Sequence, residues 1–154
     1  MPSRPADWLD AFDERVRTAI AIAQDAAKAF GHNYLGSEHL LIGLIEVDGP
    51  ARDALIDELP SAEARLAVEQ IVGRGNPPPT EEPGLTPRAR LSLERAHDIA
   101  SSTGSASVQP IHLLIALAEL DADAVSSAVL RAACVDQERL RRRLLQVLEA
   151  SPRD

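Results

Sequence analysis

Aromatic residues, cysteine and long hydrophobic runs are all scarce in this sequence. Aromatic residues make up 3% of the 154 residues, so a core has to be built from leucine, isoleucine, valine and alanine, which suits closely packed helices. The single cysteine, Cys134, has no second cysteine with which to form an internal disulfide, as is common in reducing compartments. The longest apolar stretches fall short of the roughly 20 residues that a membrane-spanning helix needs, and residues 1–11 carry no signal-peptide pattern. We therefore expect a cytoplasmic protein without a membrane partner.

Positive charge is also in short supply. The chain has 16 lysines and arginines against 24 aspartates and glutamates, which gives a formal net charge of −8. Proteins that bind nucleic acids usually present a basic surface that neutralises phosphates. The one basic stretch of note, Arg139–Arg143, is embedded in an amphipathic pattern that is typical of a solvated helix face. The sequence therefore predicts no nucleic-acid partner.

What the sequence does contain is the same pattern twice. When it is shifted along itself by 73 residues, positions 12–51 match the later segment at fourteen residues without a gap. The run His39–Ile42 falls on His112–Ile115, for example. A tandem duplication of this kind builds one pseudo-symmetric module and favours binding over catalysis. Each half alone would bury too little surface to be stable, so we expect the two halves to share an interface.

Hydrophobic residues recur at three- and four-residue steps and predict an all-α fold with eight helices. Pro50 and Thr86–Pro87 are typical of helix starts, and no strand-like alternation is present. The helices are predicted at about 9–30, 37–47, 50–59, from 61, from 87, 109–121, 123–133 and 136–150. The predicted fold class is two tandem four-helix repeats packed as one pseudo-twofold eight-helix domain.

The domain boundaries follow from composition. We expect a single domain over 1–154, with repeat one at about 9–74 and repeat two at about 87–150. The segment 75–86 between them is rich in proline and includes Pro77-Pro78-Pro79, which cannot be helical throughout. We expect this connector to be exposed and partly in the polyproline II conformation.

Two stretches of the sequence resemble a known family. The first runs from Gly31 to Leu44 and reads GHNYLGSEHLLIGL, and the second runs from Leu85 to Arg90 and reads LTPRAR. They resemble the signature of the Clp N-terminal repeat and the start of that family's second repeat, and the resemblance covers about 9–149. It implies a domain like those that cap the AAA+ unfoldases ClpA, ClpB and especially ClpC. Because the sequence has no Gly-x-x-x-x-Gly-Lys-[Ser/Thr] phosphate-binding motif, we expect a stand-alone ClpC-like N domain.

Glu38 is the first candidate ligand-binding residue. It is predicted in the opening turn of the second helix, where the helix dipole alone favours a carboxylate by ~0.3–1 kcal/mol. The resemblance implies a second role, in which this glutamate holds the guanidinium of arginine-phosphorylated substrate proteins. A carboxylate matches a guanidinium fork with two charge-assisted hydrogen bonds. Ser37, backbone N–H groups and a basic side chain, Arg15 or Arg17, would then hold the phosphoryl group.

The second repeat departs from this motif. Gln109, Pro110 and Ile111 stand where the first repeat has Gly36, Ser37 and Glu38. An isoleucine cannot hold a guanidinium, and proline lacks a backbone donor. We therefore expect at most one phosphoarginine site, or a changed ligand.

The groove between the repeats is the second candidate site. By resemblance it lies near the starts of the first and fifth helices, where ClpC N domains bind adaptor proteins and toxic cyclic peptides. The matching residues are Leu9, Phe12, Arg17, Leu85 and Arg90. The alternative is that the apolar ones are ordinary helix-start packing and that the arginines pair with nearby acids on exposed faces.

The recurring histidines His39 and His112 invite a metal hypothesis, but no further ligand stands at a spacing that both repeats share. We expect no metal; each ring is predicted to pack near the core and to hydrogen-bond a loop carbonyl. His32 is interpreted as a surface or loop residue.

The resemblance implies a non-catalytic accessory or decoy of the ClpC–ClpP protease system, without a cofactor. It would bind substrates, including arginine-phosphorylated ones, adaptors or cyclic peptides. The alternatives are a regulator that contacts the ClpC unfoldase directly, and the N-terminal domain of a longer AAA+ unfoldase. An enzyme is not expected, because no nucleophile-elbow pattern is present and Cys134 has no recognisable basic partner.

Overall fold

The computed structural model describes residues 8–75 and 83–150, with the side chains of Trp8 and Leu9 left outside that description. The predicted eight helices are all found. A 3-10 helix at Trp8–Ala11 precedes them, and two short strands lie between them. The elements are α1 Glu14–Ala29, β1 Tyr34–Leu35, α2 Ser37–Ile45, α3 Pro50–Leu55, α4 Ser61–Val72, β2 Gly84–Leu85, α5 Pro87–Ser102, α6 Pro110–Ala118, α7 Val125–Ala132 and α8 Gln137–Ala150.

The first helix begins later than the hydrophobic spacing predicted. Asp13 is extended, with ψ 152°, and its side chain accepts a hydrogen bond from the backbone N–H of Arg15 at 2.7 Å, which makes it the N-cap. Phe12 forms a parallel bridge with Val108 of the other repeat. A helix from residue 9 was therefore wrong, because this cap and a tertiary contact override the local apolar spacing.

The two repeats are joined by extended segments, each of which pairs with a segment of the other repeat. Strands β1 and β2 pair in parallel, with Leu35 opposite Leu85, and the N–H of Thr86 donates to the carbonyl of Leu35 at 3.0 Å. The same contact recurs 73 positions away, where the N–H of Asp13 donates to the carbonyl of Val108 at 2.7 Å. Each repeat's first helix is thus entered from a segment paired with the opposite repeat. Strands of two residues carry no alternation, which is why the sequence did not predict them.

The core is continuous across both repeats, and α2 and α6 lie at its centre. All nine residues of each of these helices are buried, so the repeated His-Leu-Leu-Ile run is enclosed on every side rather than along one stripe. Each buried leucine or isoleucine contributes about 1.5–3 kcal/mol relative to an exposed one. Further contacts tie the halves together: Arg143 of α8 donates to the carbonyl of Ala54 in α3 at 3.0 Å.

The start of the connector is packed against the loop after α1. The N–H of Gly75 donates to the carbonyl of Phe30 at 2.8 Å. Gly31 has φ 75°, and a Cβ on Gly31 or Gly75 would overlap the backbone of the other. The polyproline II prediction for the connector concerns mostly residues 76–82, which lie outside the described residues.

Several predicted helix starts are confirmed. The Thr86 side chain accepts from the N–H of Ala89 at 3.1 Å, and Pro50 and Pro87 stand in the first turns of α3 and α5. In the described ranges, no helix is both long and apolar enough to cross a membrane.

Candidate functional site

A cavity of about 250 Å³ lies where the starts of α2, α5 and α7 meet. Both repeats contribute to its wall, because the pairing of β1 with β2 brings the start of α5 against the start of α2. Its lining residues are Tyr34, Ser37, Glu38, Thr86, Pro87, Arg88 and Val125. The cavity therefore combines a carboxylate and hydroxyls with the guanidinium of Arg88.

Glu38 is almost fully enclosed, with 2% of its surface exposed. The Tyr34 hydroxyl donates to Glu38 Oε2 at 3.1 Å. A Cβ at Gly36 would overlap Glu38 Oε1, so glycine there leaves room for the carboxylate. Burial raises the pKa of Glu38, although its own backbone N–H, the Tyr34 hydroxyl and the neighbouring His32 act in the opposite direction. A cation that entered the cavity would stabilise the charged form, which burial disfavours.

Tyr34 belongs to an aromatic cluster behind the carboxylate. Its ring stacks on His32, with ring centroids 5.1 Å apart and an interplanar angle of 14°. Burial, followed by the negative charge of Glu38, raises the pKa of Tyr34 far above its usual range. The hydroxyl therefore keeps its proton and acts as a hydrogen-bond donor to Glu38.

His32 and His39 form a chain of hydrogen bonds. The backbone donor at one end and the backbone acceptor at the other fix which nitrogen donates in each bond. The N–H of Gly36 donates to His39 Nδ1 at 2.9 Å, so His39 Nε2 carries the hydrogen and donates to His32 Nδ1 at 2.9 Å. His32 Nε2 then donates to the carbonyl of Gly73 at 2.7 Å. Burial, reinforced by His32, lowers the pKa of His39 to about 3.

One expectation about these histidines was wrong, and the other holds only in part. His39 does not bond a loop carbonyl; its ring accepts the Gly36 N–H and caps α2. His32 is a loop residue but not a surface one, since only 5% of it is exposed. His32 lies against the end of α4, where the Gly73 carbonyl accepts its hydrogen bond.

The predicted ligand-binding residues are only partly brought together. Ser37 and Glu38 both line the cavity, and Ser37 Oγ accepts from the N–H of Ser126 at 3.3 Å. Arg15 and Arg17 are not among the described residues that line it. Arg15 lies beside Asp13 and donates to the carbonyl of Asp48 at 3.4 Å, and Arg17 lies 3.7 Å from Asp10.

The cation at the cavity is Arg88, from the second repeat. Its side chain is 44% exposed and lies 3.2 Å from Asp121. Arg88 is the counterpart of Arg15 under the 73-residue shift, and the sequence analysis did not name it as a candidate. Arg88 lies at this cavity because β2, which leads into α5, pairs with β1 of the first repeat.

The second repeat keeps the capping histidine and loses the rest of the arrangement. His112 Nδ1 accepts from the N–H of Gln109 at 2.9 Å, as His39 does from Gly36. His112 Nε2 is buried without a described hydrogen-bond partner, because Ser105 stands where the first repeat has His32. Ile111, the counterpart of Glu38, is 4% exposed within the core.

The residues predicted to form the inter-repeat groove differ in how exposed they are. Phe12 is 3% exposed and packs in the core, which matches the alternative of ordinary packing for that residue. Leu85 is 37% exposed on β2, and Arg90 lies on the exposed side of α5. The side chain of Leu9 lies outside the described residues, so the groove stays a prediction.

A family model described as the Clp repeat (R) N-terminal domain matches residues 11–123 and 84–154. Among curated relatives, the chain is 34% identical over 139 residues to the "Negative regulator of genetic competence ClpC/MecB" of Bacillus subtilis, covering 89% of this chain and 17% of that protein. It is 33% identical over 142 residues to the "ATP-dependent Clp protease ATP-binding subunit ClpA homolog" of Porphyra purpurea, covering 91% and 17%. The chain thus spans about a sixth of the length of these relatives.

Solved structures give the same fold. The N-terminal domain of the chaperone ClpD from Arabidopsis thaliana superposes with a TM-score of 0.78 at 23% identity, covering 96% of this chain and 100% of that one. The Hsp104 N-terminal domain from Candida albicans has a TM-score of 0.71 at 21% identity, covering 92% and 93%. With the duplicated helices and the paired repeats, these matches show that the chain belongs to the Clp repeat N-terminal domain family.

Proposed function

We propose that this chain is a non-catalytic binding domain that recognises arginine-phosphorylated proteins through the cavity at Glu38. The observation that carries the proposal is a buried carboxylate facing a cavity of about 250 Å³, with the half-exposed Arg88 at the same cavity. A phosphorylated guanidinium presents positive and negative groups side by side, and this cavity offers a partner for each.

Glu38 would bind the guanidinium. Its carboxylate is held close to the start of α2 and is removed from water. A charge-assisted hydrogen bond to a planar guanidinium is stronger in such an enclosed place than on an open surface. The raised pKa of Glu38 supports this role, because a cationic ligand would offset the unfavourable burial of the charge.

Arg88 would bind the phosphoryl group, in the role that the sequence suggested for Arg15 or Arg17. In the unliganded protein it is paired with Asp121, and such exposed pairs exchange partners at little free-energy cost. The hydroxyls of Ser37 and Thr86 also line the cavity, but they already serve as acceptors for the Ser126 and Ala89 N–H groups. Their hydrogens remain able to donate to phosphoryl oxygens.

The biological setting we propose is the ClpC–ClpP protease system, in the cytoplasm. The domain would deliver marked substrates to a ClpC-type unfoldase, or sequester them as a decoy. Adaptor proteins and cyclic peptides are the other ligands to test. Relatives of this domain occur within ATP-binding subunits, whereas competitive binding needs no nucleotide.

The test is calorimetric titration with phosphoarginine, compared with plain arginine. We expect saturable binding at one site, lost in a Glu38→Gln variant that keeps the shape of the side chain. Glu58→Gln is the matched control, since Glu58 is a carboxylate paired with Arg143 on another face and its loss should leave affinity unchanged. Absence of binding by the wild-type chain would overturn the proposal.

Direct contact with the unfoldase is the competing function. It is favoured by exposed leucines in the described part of the chain, namely Leu66 at 54% and Leu91 at 57% exposure. A pull-down of ClpC separates the two functions: contact through an apolar surface would survive Glu38→Gln and be weakened by Leu66→Ser or Leu91→Ser.

A further inference from the structure

Tyr34 holds the Glu38 carboxylate from the loop side of the cavity. Its hydroxyl donates to Oε2 at 3.1 Å, while Oε1 lies against Gly36 at the start of α2. The backbone N–H of Glu38 also bonds its own carboxylate. The plane of the carboxylate is therefore determined from two sides before any ligand arrives.

Tyr34 is in turn held by the two histidines behind it. Its ring stacks on His32 and contacts His39, with centroids 5.1 and 5.2 Å away. His32 is fixed by its bonds to His39 and to the Gly73 carbonyl. This chain of bonds connects the end of α4 to the side chain that touches Glu38.

The second repeat shows that a histidine can cap a helix without the rings that hold Glu38. His112 caps α6 through the Gln109 N–H, although Ser105 and Ser107 replace His32 and Tyr34. A capping histidine therefore does not require the other two rings. In this chain they occur in the repeat that carries the glutamate and are missing from the repeat that carries Ile111.

We propose that Tyr34, supported by His32 and His39, is a positioning residue that orients the Glu38 carboxylate for bidentate binding of a guanidinium. The inference rests on the proposed function, since it concerns the same cavity. Without the hydroxyl, Glu38 loses a charge-assisted hydrogen bond and gains rotational freedom, and both changes weaken a two-point contact.

The electrostatic surroundings make the effect measurable. Tyr34 and His32 on the loop interact with the Glu38 carboxylate, His39 of α2 contacts Tyr34, and Arg88 of α5 lines the same cavity. From α7, Val125 lines the cavity and Ser126 bonds Ser37, and both are uncharged. Removing the Tyr34 hydroxyl thus takes away a hydrogen bond that favours the ionised carboxylate and leaves the burial that opposes it.

The experiment compares the wild-type chain with Tyr34→Phe, which keeps the stacked ring and removes the hydroxyl. The Glu38 carboxyl is titrated by NMR without ligand, and phosphoarginine affinity is measured by calorimetry. We expect the Glu38 titration to move to higher pH and the affinity to fall about tenfold, the lower end for a lost hydrogen bond to a charged group. Ser105→Ala is the control, because it removes a loop hydroxyl that bonds the Ser107 carbonyl in the equivalent loop and should change neither quantity.

The two measurements keep this inference distinct from the proposed function. If the wild-type chain binds phosphoarginine and Tyr34→Phe changes neither the affinity nor the Glu38 titration, the positioning role is overturned. The proposed binding site at Glu38 is then still supported. A shifted Glu38 titration in a protein that binds no phosphoarginine would support the positioning of Glu38 and overturn its proposed ligand. A similar affinity loss in Ser105→Ala would indicate a general structural effect and overturn the inference.

Discussion

The junction between the first two helices of each repeat is built in two different ways. In repeat one, the segment from Gly31 to His39 places a tyrosine and a glutamate at a cavity, with two histidines behind the tyrosine. In repeat two, the segment from Gly104 to His112 keeps the end residues, and the residues between them are serine, alanine, valine, glutamine, proline and isoleucine. The repeated parts are those that stop a helix, cap the next one and bury its leucines. The fold therefore needs Gly31, His39 and their counterparts, whereas the polar cavity needs residues that only one repeat has.

The largest effect should come from what the repeats share. Leu41 and its counterpart Leu114 are both almost fully buried. Replacing either by alanine leaves a cavity in the common core, and we expect the free energy of unfolding to fall by about 2–5 kcal/mol in each case. Chemical denaturation would measure this. If one variant were unaffected, or unfolded in two steps, the repeats would not share one cooperative core.

The next effect concerns how the two capping histidines change the stability of the fold with pH. The pKa of His39 is lowered from 6.5 to about 3 on folding, so between these values the unfolded chain binds more protons and stability falls as pH falls. The loss is at most about 1.4 kcal/mol per pH unit for one group. Burial also lowers the pKa of His112, but no second histidine adds to it there.

Glutamine at either position can still accept the capping N–H but does not titrate in this range. We therefore expect His39→Gln to flatten the loss of stability between pH 6.5 and 5 more than His112→Gln does. Urea unfolding at several pH values measures this. A wild-type stability that does not change from pH 7 to 5 would contradict the prediction.

The smallest effect concerns the two equivalent arginines. Arg88 pairs with Asp121, and Arg15 lies against the carbonyl of Asp48. Asp121→Asn should release Arg88 for a phosphoryl group and strengthen phosphoarginine binding about twofold, because exposed ion pairs are worth only ~0–1 kcal/mol. Asp48→Asn, the equivalent change in repeat one, should leave the affinity unchanged in the same titration. An equal gain in both variants would mean that Arg88 has no special place at the cavity.

Much of the fold could be predicted, because the signals were local. Thr86 caps α5 and Pro50 opens α3 as expected, and Gly31 ends α1 with a positive φ. The start of α1 could not be predicted, since it depends on Phe12 pairing with Val108, 96 positions along the sequence. The two short strands could not be predicted for the same reason, since they too form through pairing of distant segments.

The candidate site was predicted less completely. Ser37 and Glu38 were found through a motif and do share a cavity. Tyr34 and His32 stand in the same motif, but their roles were missed because nothing in their spacing reveals a hydrogen bond to Glu38 or to the Gly73 carbonyl. Arg88 was not named because it is 50 positions from Glu38, and it lines the same cavity only because β1 and β2 pair.

The sequence by itself determined the duplication, the eight helices and the buried runs at their centre, since each of these is decided by neighbours within a few turns. Only the tertiary structure decided which arginine lines the cavity at Glu38, whether His32 is buried, and where the first helix begins. These features depend on contacts between segments tens of residues apart. The physical reason is that backbone groups of the segments entering α1 and α5 must find hydrogen-bond partners, and they find them in the opposite repeat.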